Sequence, residues 1–181
     1  MAARAPEGHG RAKLPKVFAN TSSGPPMESS ATRSCGDCTA CCDGWLQIKV
    51  RGHRIHPGSP CPFRAAHGCS IYQERPSNPC REFVCGWLIG SSPLPDWMRP
   101  DRSDMIMLAA NFTWRGLPVD VVVPVGERPK RKALDWLKEF SSARKRPLLY
   151  QTQGEWFAFG PPAFQAEISE RIRRGEKLWD E

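Results

Sequence analysis

Cysteine is the residue type with the clearest chemical signal in this sequence. All eight cysteines lie between Cys35 and Cys85, and the rest of the 181 residues contain none. Cysteine thiolates bind zinc or iron–sulfur clusters, or they form disulfides in oxidising compartments. The first 34 residues lack the apolar segment of a secretory signal. We therefore expect a cytoplasmic protein whose cysteines bind metal rather than form a disulfide framework.

The first half of the cysteines is tightly spaced and reads Cys35-Gly-Asp-Cys38-Thr-Ala-Cys41-Cys42. Two intervening residues allow the backbone to curl so that neighbouring thiolates reach one metal centre. Three such ligands in series, with a distant Cys-Pro, are how bacterial ferredoxins hold a cubane cluster. The series that ends at Cys41 therefore predicts a [4Fe–4S] centre. Cys61, which precedes Pro62, is the candidate fourth ligand.

A second site would use the cysteines that remain. Adjacent side chains in extended backbone point to opposite faces, so Cys42 should not share a centre with Cys41. The remaining candidate ligands are Cys42, Cys69, Cys80 and Cys85. Imidazole could replace a thiolate, but we expect the histidines of this region, His53, His56 and His67, to be polar loop residues. Zinc and iron–sulfur centres both accept four thiolates, so the metal stays open, with preference for the cluster.

The residues around the cysteines resemble those of the bacterial YkgJ-like cysteine-cluster family, described as zinc- or iron-chelating. The resemblance covers residues 34–90 and rests on Cys35–Cys42, Pro60-Cys61-Pro62, Gly68-Cys69-Ser70-Ile71-Tyr72, Arg75-Pro76, Cys80-Arg81-Glu82-Phe83 and Cys85. It implies that the cysteines bind metal and that four further residues surround them: Tyr72, Arg75, Arg81 and Phe83. In that position guanidinium groups offset thiolate charge, and aromatic rings exclude water.

Three functions follow from these patterns. We expect first a non-enzymatic structural or redox protein that binds zinc or an iron–sulfur cluster. Because the family includes flagellin lysine N-methylases, the resemblance implies an alternative, a protein-modifying enzyme that uses an iron–sulfur cluster and S-adenosylmethionine. A weaker alternative is a zinc-ribbon-like adaptor for nucleic acid or protein. The sequence contains no GxSxG, GxGxxG, Walker or HExxH motif, which favours the non-enzymatic function.

The charge pattern argues against nucleic acid as a partner. The formal net charge is +7, but it is dispersed, whereas a nucleic-acid surface should be clustered. Basic runs at Arg128–Lys132 and Arg144–Arg146 flank Trp136 and Phe140. These rings fall on the apolar stripe of a predicted helix, so we expect them in the core. The apolar runs are also too short for a membrane helix, and the sequence identifies no protein partner.

The rest of the chain must position the cysteines. Eighteen Pro and 15 Gly favour a loop-rich fold. We expect a disordered tail over residues 1–33, with Met27 as an alternative start. Residues 34–90 then form a metal-binding cysteine region, and residues 91–181 an α+β region that completes one compact unit with it.

The α+β region shows two apolar hairpin patterns and two helical ones. The hairpins pair Met105–Phe112 with Val119–Val125 and Leu148–Thr152 with Glu155–Phe159, and the helices follow Pro129 and Pro161-Pro162. The sequence therefore predicts a small, loop-rich α+β fold. In it, a metal-stabilised cysteine lobe packs on a lobe of short antiparallel strands and two helices.

Overall fold

The computed structural model of the protein describes residues 33–179. The alternative start at Met27 and the predicted disordered tail lie outside the described residues, except for Arg33. The Arg33 guanidinium donates to the backbone carbonyls of Trp87 and Leu94, each at 2.9 Å, and pairs with Asp96 at 3.0 Å. The sequence predicts that this residue belongs to the tail, but it is anchored to the segment that runs from Trp87 to Asp96.

The cysteine region contains short elements joined by turns. Strand β1 (Lys49–Val50) pairs with β2 (His53–Arg54), and β3 (Arg64–Ala65) pairs with β4 (Gly68–Cys69), both antiparallel. Single helical turns follow at Tyr72–Glu74, Ser77–Arg81 and Asp96–Met98. Two-residue strands bury little surface, so side-chain contacts must hold this region in place.

A four-stranded sheet follows the short helix α1 (Pro100–Ser103). Its strands, in spatial order, are β5 (Met105–Trp114), β6 (Leu117–Pro124), β7 (Leu148–Thr152) and β8 (Glu155–Phe159). Both hairpins are confirmed, since β5 pairs with β6 and β7 with β8 in antiparallel fashion. The prediction of a purely antiparallel sheet is wrong because β6 and β7 are parallel. A helix lies between them in the chain and returns it to the starting edge, so the next strand runs the same way.

Both predicted helices are present. Helix α2 (Arg131–Arg144) connects β6 to β7 and buries Ala133 and Leu137. Helix α3 (Pro162–Arg173) follows β8 and buries Phe164 and Ile168. None of the helices within residues 33–179 is long and apolar enough to cross a membrane.

One apolar core joins the cysteine region to the sheet. Ala40, Leu46 and Trp87 are buried in the same cluster as the inward side chains of β5 and β6. Trp136 packs against this core, as predicted, and stacks on Phe140 with 5.4 Å between ring centroids. Phe140 is half-buried and belongs to neither core cluster, so the prediction that it lies in the core is wrong. A second, smaller cluster lies wholly within the cysteine region and consists of Val50, Ile55 and Cys61. The loops that carry the cysteines therefore pack against the sheet.

Two glycines of the cysteine region lie where backbone segments touch. A Cβ atom at Gly44 would stand 2.2 Å from the carbonyl carbon of His56, and one at Gly68 would stand 2.7 Å from the carbonyl oxygen of Gly36. Both glycines have positive φ, +98° and +102°, where other residues are strained. These contacts hold the cysteine loops against one another.

The close approach at Gly44 can be tested by substitution. We expect Gly44→Ala to lower the free energy of unfolding by about 3 kcal/mol or more, because it adds a backbone clash to the cost of positive φ. Gly58→Ala is the matched control, since Gly58 has φ +87° and nothing within 4 Å of its Cβ position. It should cost about 1–2 kcal/mol. Urea denaturation measures the free energy of unfolding of both variants. Equal losses would show that the contact with His56 does not contribute to stability.

Candidate metal centre

All eight cysteines line one cavity with a volume of about 500 Å³. Its wall also includes the four further residues that the resemblance implied: Tyr72, Arg75, Arg81 and Phe83. Apolar side chains complete it, among them Ile48, Val50 and Phe63. None of His53, His56 and His67 belongs to the wall. The structure thus brings together every cysteine and every surrounding residue that the sequence pointed to.

One group of thiols interacts around Cys41 and is called the inner set: Cys35, Cys38, Cys41 and Cys85. Burial raises the pKa of Cys41 well above its usual value, and repulsion from Cys85, Cys38, Cys42 and Cys35 acts in the same direction. Burial, together with repulsion from Cys35 and Cys38, raises the pKa of Cys85 to about 11. Three of these thiols belong to or pack against the main core. The inner set is therefore a desolvated group of mutually interacting thiols.

Backbone N–H groups point at two sulfur atoms of the inner set. The Sγ atom of Cys38 accepts hydrogen bonds from the N–H groups of Ala40 and Asp101, which lower its pKa against the larger effect of burial. The Sγ atom of Cys85 accepts from Leu88 and Trp87 in the same way. Such bonds favour the charged thiolate over the thiol. They are also among the interactions that tune iron–sulfur centres.

The other four thiols form the outer set: Cys42, Cys61, Cys69 and Cys80. Burial, together with repulsion from Cys61, Cys69 and Cys80, raises the pKa of Cys42 to about 12. Burial raises the pKa of Cys80 too, with additions from Cys61 and Cys69. Cys61 belongs to the small apolar cluster, against which Cys42 and Cys80 pack. The outer set therefore has its own apolar support, separate from that of the inner set.

This division differs from the grouping that the sequence suggested, which placed Cys61 with Cys41 and Cys85 with Cys42. Backbone contacts of Cys61 and of the residue after Cys85 favour the new division. The N–H of Cys61 donates to the carbonyl of Cys42 at 2.7 Å, and Gly86, next to Cys85, donates to the carbonyl of Met107 in β5 at 2.6 Å. Cys41 packs against the main core and Cys42 against the small cluster, although the two thiols also interact with each other.

Three arginines surround the helical turn Tyr72–Glu74, and we call them the arginine crown: Arg51, Arg75 and Arg81. Each donates to a different carbonyl of the turn, Arg75 to Tyr72 at 2.8 Å, Arg81 to Gln73 at 2.5 Å and Arg51 to Glu74 at 3.0 Å. Arg75 also lies 3.6 Å from the centroid of the Tyr72 ring. No carboxylate within residues 33–179 forms an ion pair with any of the three. The crown therefore brings uncompensated positive charge to this side of the cavity.

The positive charge of the crown affects a thiol of the outer set, Cys80. Arg75 and Arg51 lower the pKa of Cys80, opposing the larger effects of burial and neighbouring thiols. Sequence reasoning missed Arg51, because it lies in the turn between β1 and β2 and outside the cysteine motifs. It also missed Arg99, which lines the cavity and binds both carboxylate oxygens of Asp101 at 2.6 Å.

One buried polar atom beside the cavity lacks a partner. Trp87 lines the cavity, and its indole N–H is buried without a hydrogen-bond acceptor. Arg33 lies over the ring at 4.8 Å and holds it in place. A buried donor without a partner costs about 1–3 kcal/mol. Thiolate or sulfide sulfur is a chemically suitable acceptor for it.

The donor chemistry of the cavity suits a thiolate-bound metal group. Within residues 33–179, no three or more His, Cys, Asp or Glu side chains are spaced to hold a single metal ion. The thiols line a space, with backbone donors aimed at two of the sulfur atoms. The residues present thus fit a metal group by donor type, burial and surrounding charge.

Comparisons of the chain with protein-family models, with curated proteins and with solved structures find no significant match. The YkgJ-like resemblance therefore stays a prediction that rests on the sequence pattern. The cavity and the eight thiols that line it are the structural features that bear on function.

Proposed function

We propose that this chain is a cytoplasmic metal protein that binds zinc or an iron–sulfur cluster through its eight cysteines, and that it acts as a structural or redox protein. The observation that carries this proposal is the gathering of all eight thiols around one cavity. Free cysteine can pack as a small apolar residue, but such packing gives no reason for every cysteine of the chain to face the same space.

A [4Fe–4S] cluster is the preferred group. Zinc draws its thiolates to about 2.3 Å around one ion, whereas a cluster occupies volume between its ligands. A cavity of about 500 Å³ with sulfur atoms in its wall supports the cluster. When bound, such a group supplies one-electron chemistry or a rigid cross-link between loops. The chain contributes thiolates to bind it, backbone N–H groups to orient them and apolar walls to exclude water.

The first test is the metal content of protein purified without oxygen. We expect brown protein with about four iron and four acid-labile sulfide for each cluster, and with thiolate-to-iron absorption in the visible spectrum. Colourless protein with zinc would keep the metal-binding function and refute the cluster. Protein free of both metal and sulfide, prepared from cells supplied with iron and zinc, would refute the proposal. Titration with S-adenosylmethionine tests the enzymatic alternative in the same sample.

A further inference from the structure

We propose that the protein holds two separate metal centres of unlike character, and that the outer one, beside the arginine crown, is the more labile. The inner centre uses Cys35, Cys38, Cys41 and Cys85, and the outer centre uses Cys42, Cys61, Cys69 and Cys80. This inference rests on the proposed function, because it assumes that the thiols bind metal. It adds that they do so as two units.

Separate packing supports two units. Cys38, Cys41 and Cys85 belong to or contact the main core beneath the cavity, while Cys42, Cys61 and Cys80 belong to or contact the small cluster. Interactions with Cys41 and with Cys42 add Cys35 and Cys69 to these two groups, which gives each the four thiols that one cubane cluster takes. The peptide bond between Cys41 and Cys42 joins them directly. Cys41 packs against the main core and Cys42 against the small cluster, so this dipeptide can serve two centres at once.

The inner centre is tied to the four-stranded sheet. The backbone beside Cys85 is bonded to β5 through Gly86 and Met107. Backbone N–H groups donate to the sulfur atoms of Cys38 and Cys85. The nearby Arg99 is already neutralised by Asp101. Opening this site requires displacement of residues that also support the sheet.

Within residues 33–179, the outer centre has no contact of this kind with the sheet, and it depends on charge. The crown beside it is open to solvent, since Tyr72, which stacks with Arg75, is 37% exposed. Four thiolates around a divalent metal or a cluster leave a net negative charge, which guanidinium groups nearby offset. The crown has no competing carboxylate in the described part of the chain. Removal of its charge should therefore weaken the outer centre and leave the inner one unchanged.

Paired serine substitutions test the division. We expect Cys41→Ser with Cys85→Ser to remove about half of the bound metal, because both residues serve one centre. Cys42→Ser with Cys61→Ser should remove the other half. Cys41→Ser with Cys61→Ser crosses the two sets and should remove nearly all of it. Metal and sulfide analysis gives the amounts, and far-UV circular dichroism shows that each variant is folded.

The outcomes separate the competing groupings. If the pair Cys41 and Cys61 loses half and the pair Cys41 and Cys85 loses everything, the grouping expected from sequence order is right and our division is wrong. If every single serine variant loses all metal, there is one centre. Wild-type protein without metal would refute the proposed function itself, which is a distinct result.

A kinetic test avoids variants that fail to fold for lack of a ligand. With excess chelator, wild-type protein should lose its metal in two phases of equal amplitude. Arg51→Gln with Arg75→Gln should accelerate the fast phase several-fold and leave the slow phase unchanged. Arg54→Gln is the matched control, since Arg54 is exposed in β2 and outside the crown. A single phase, or the same acceleration in the control, would overturn the proposal.

Discussion

Removal of metal is expected to unfold residues 34–90. The elements of this region are two-residue strands and single turns, which bury too little surface to order the chain alone. Thiolate-bound metal supplies a large part of the folding free energy in such regions, about 10–16 kcal/mol for structural zinc in small domains. We expect chelated protein to lose the near-UV circular dichroism of Trp45 and Trp87. Limited proteolysis should then cleave within residues 34–90.

The control for metal removal is chelated protein to which metal is added back. Restored near-UV signal and restored protease resistance would show that the chelator acted through metal. Chelated protein that keeps its near-UV and far-UV spectra would contradict the prediction. The cysteine region would then owe its order to the apolar core below it rather than to metal.

Replacement of Arg146 is expected to cost more stability than any other change of a basic side chain in its run. Asp120, in β6, is 2% exposed and pairs with Arg146 in a short ion pair. Its carboxylate also accepts the N–H of Ala110 at 2.8 Å. Burial raises the pKa of Asp120, and these two contacts oppose that effect. Arg146→Met would leave a buried carboxylate without its cation, a loss of about 3–5 kcal/mol in unfolding free energy.

Urea denaturation at neutral pH measures this loss. Arg144→Met is the matched control, because Arg144 lies in the same basic run but is exposed, and such changes usually stay within about 0.5 kcal/mol. Asp120→Asn combined with Arg146→Met should recover part of the loss, since it removes the buried charge. Equal stability of the Arg144 and Arg146 variants would show that the ion pair contributes nothing.

Much of the sheet could be predicted because its signals are local. The apolar runs that begin at Met105 and Leu148 and the turn residues after them define the hairpins within short stretches of chain. The parallel pairing of β6 with β7 could not be predicted in this way, because it depends on where α2 packs. That packing is decided by contacts of Ala133 and Leu137 with the sheet.

The same difference between local signals and contacts of distant segments applies to the candidate site. The cysteine spacing identified every thiol that lines the cavity, since ligand residues are few and chemically distinct. It left the grouping of Cys61 and Cys85 undecided, because backbone contacts of Cys61 with Cys42 and of Gly86 with Met107 join loops that are distant in sequence. The sequence did not identify Arg51 as a residue of the site, for the same reason. Its hydrogen bond to Glu74 joins segments that no motif connects.

The core shared by the cysteine region and the sheet has a consequence for biosynthesis. Ribosomes add about 5–20 residues per second from the N-terminus, so the cysteine loops are made seconds before the strands on which Ala40, Leu46 and Trp87 pack. During that interval the thiols of the inner set lack the apolar support of the sheet. If the proposed function is right, capture of metal by the nascent chain would protect them before the sheet is complete, and metal supply during translation would affect the yield of folded protein.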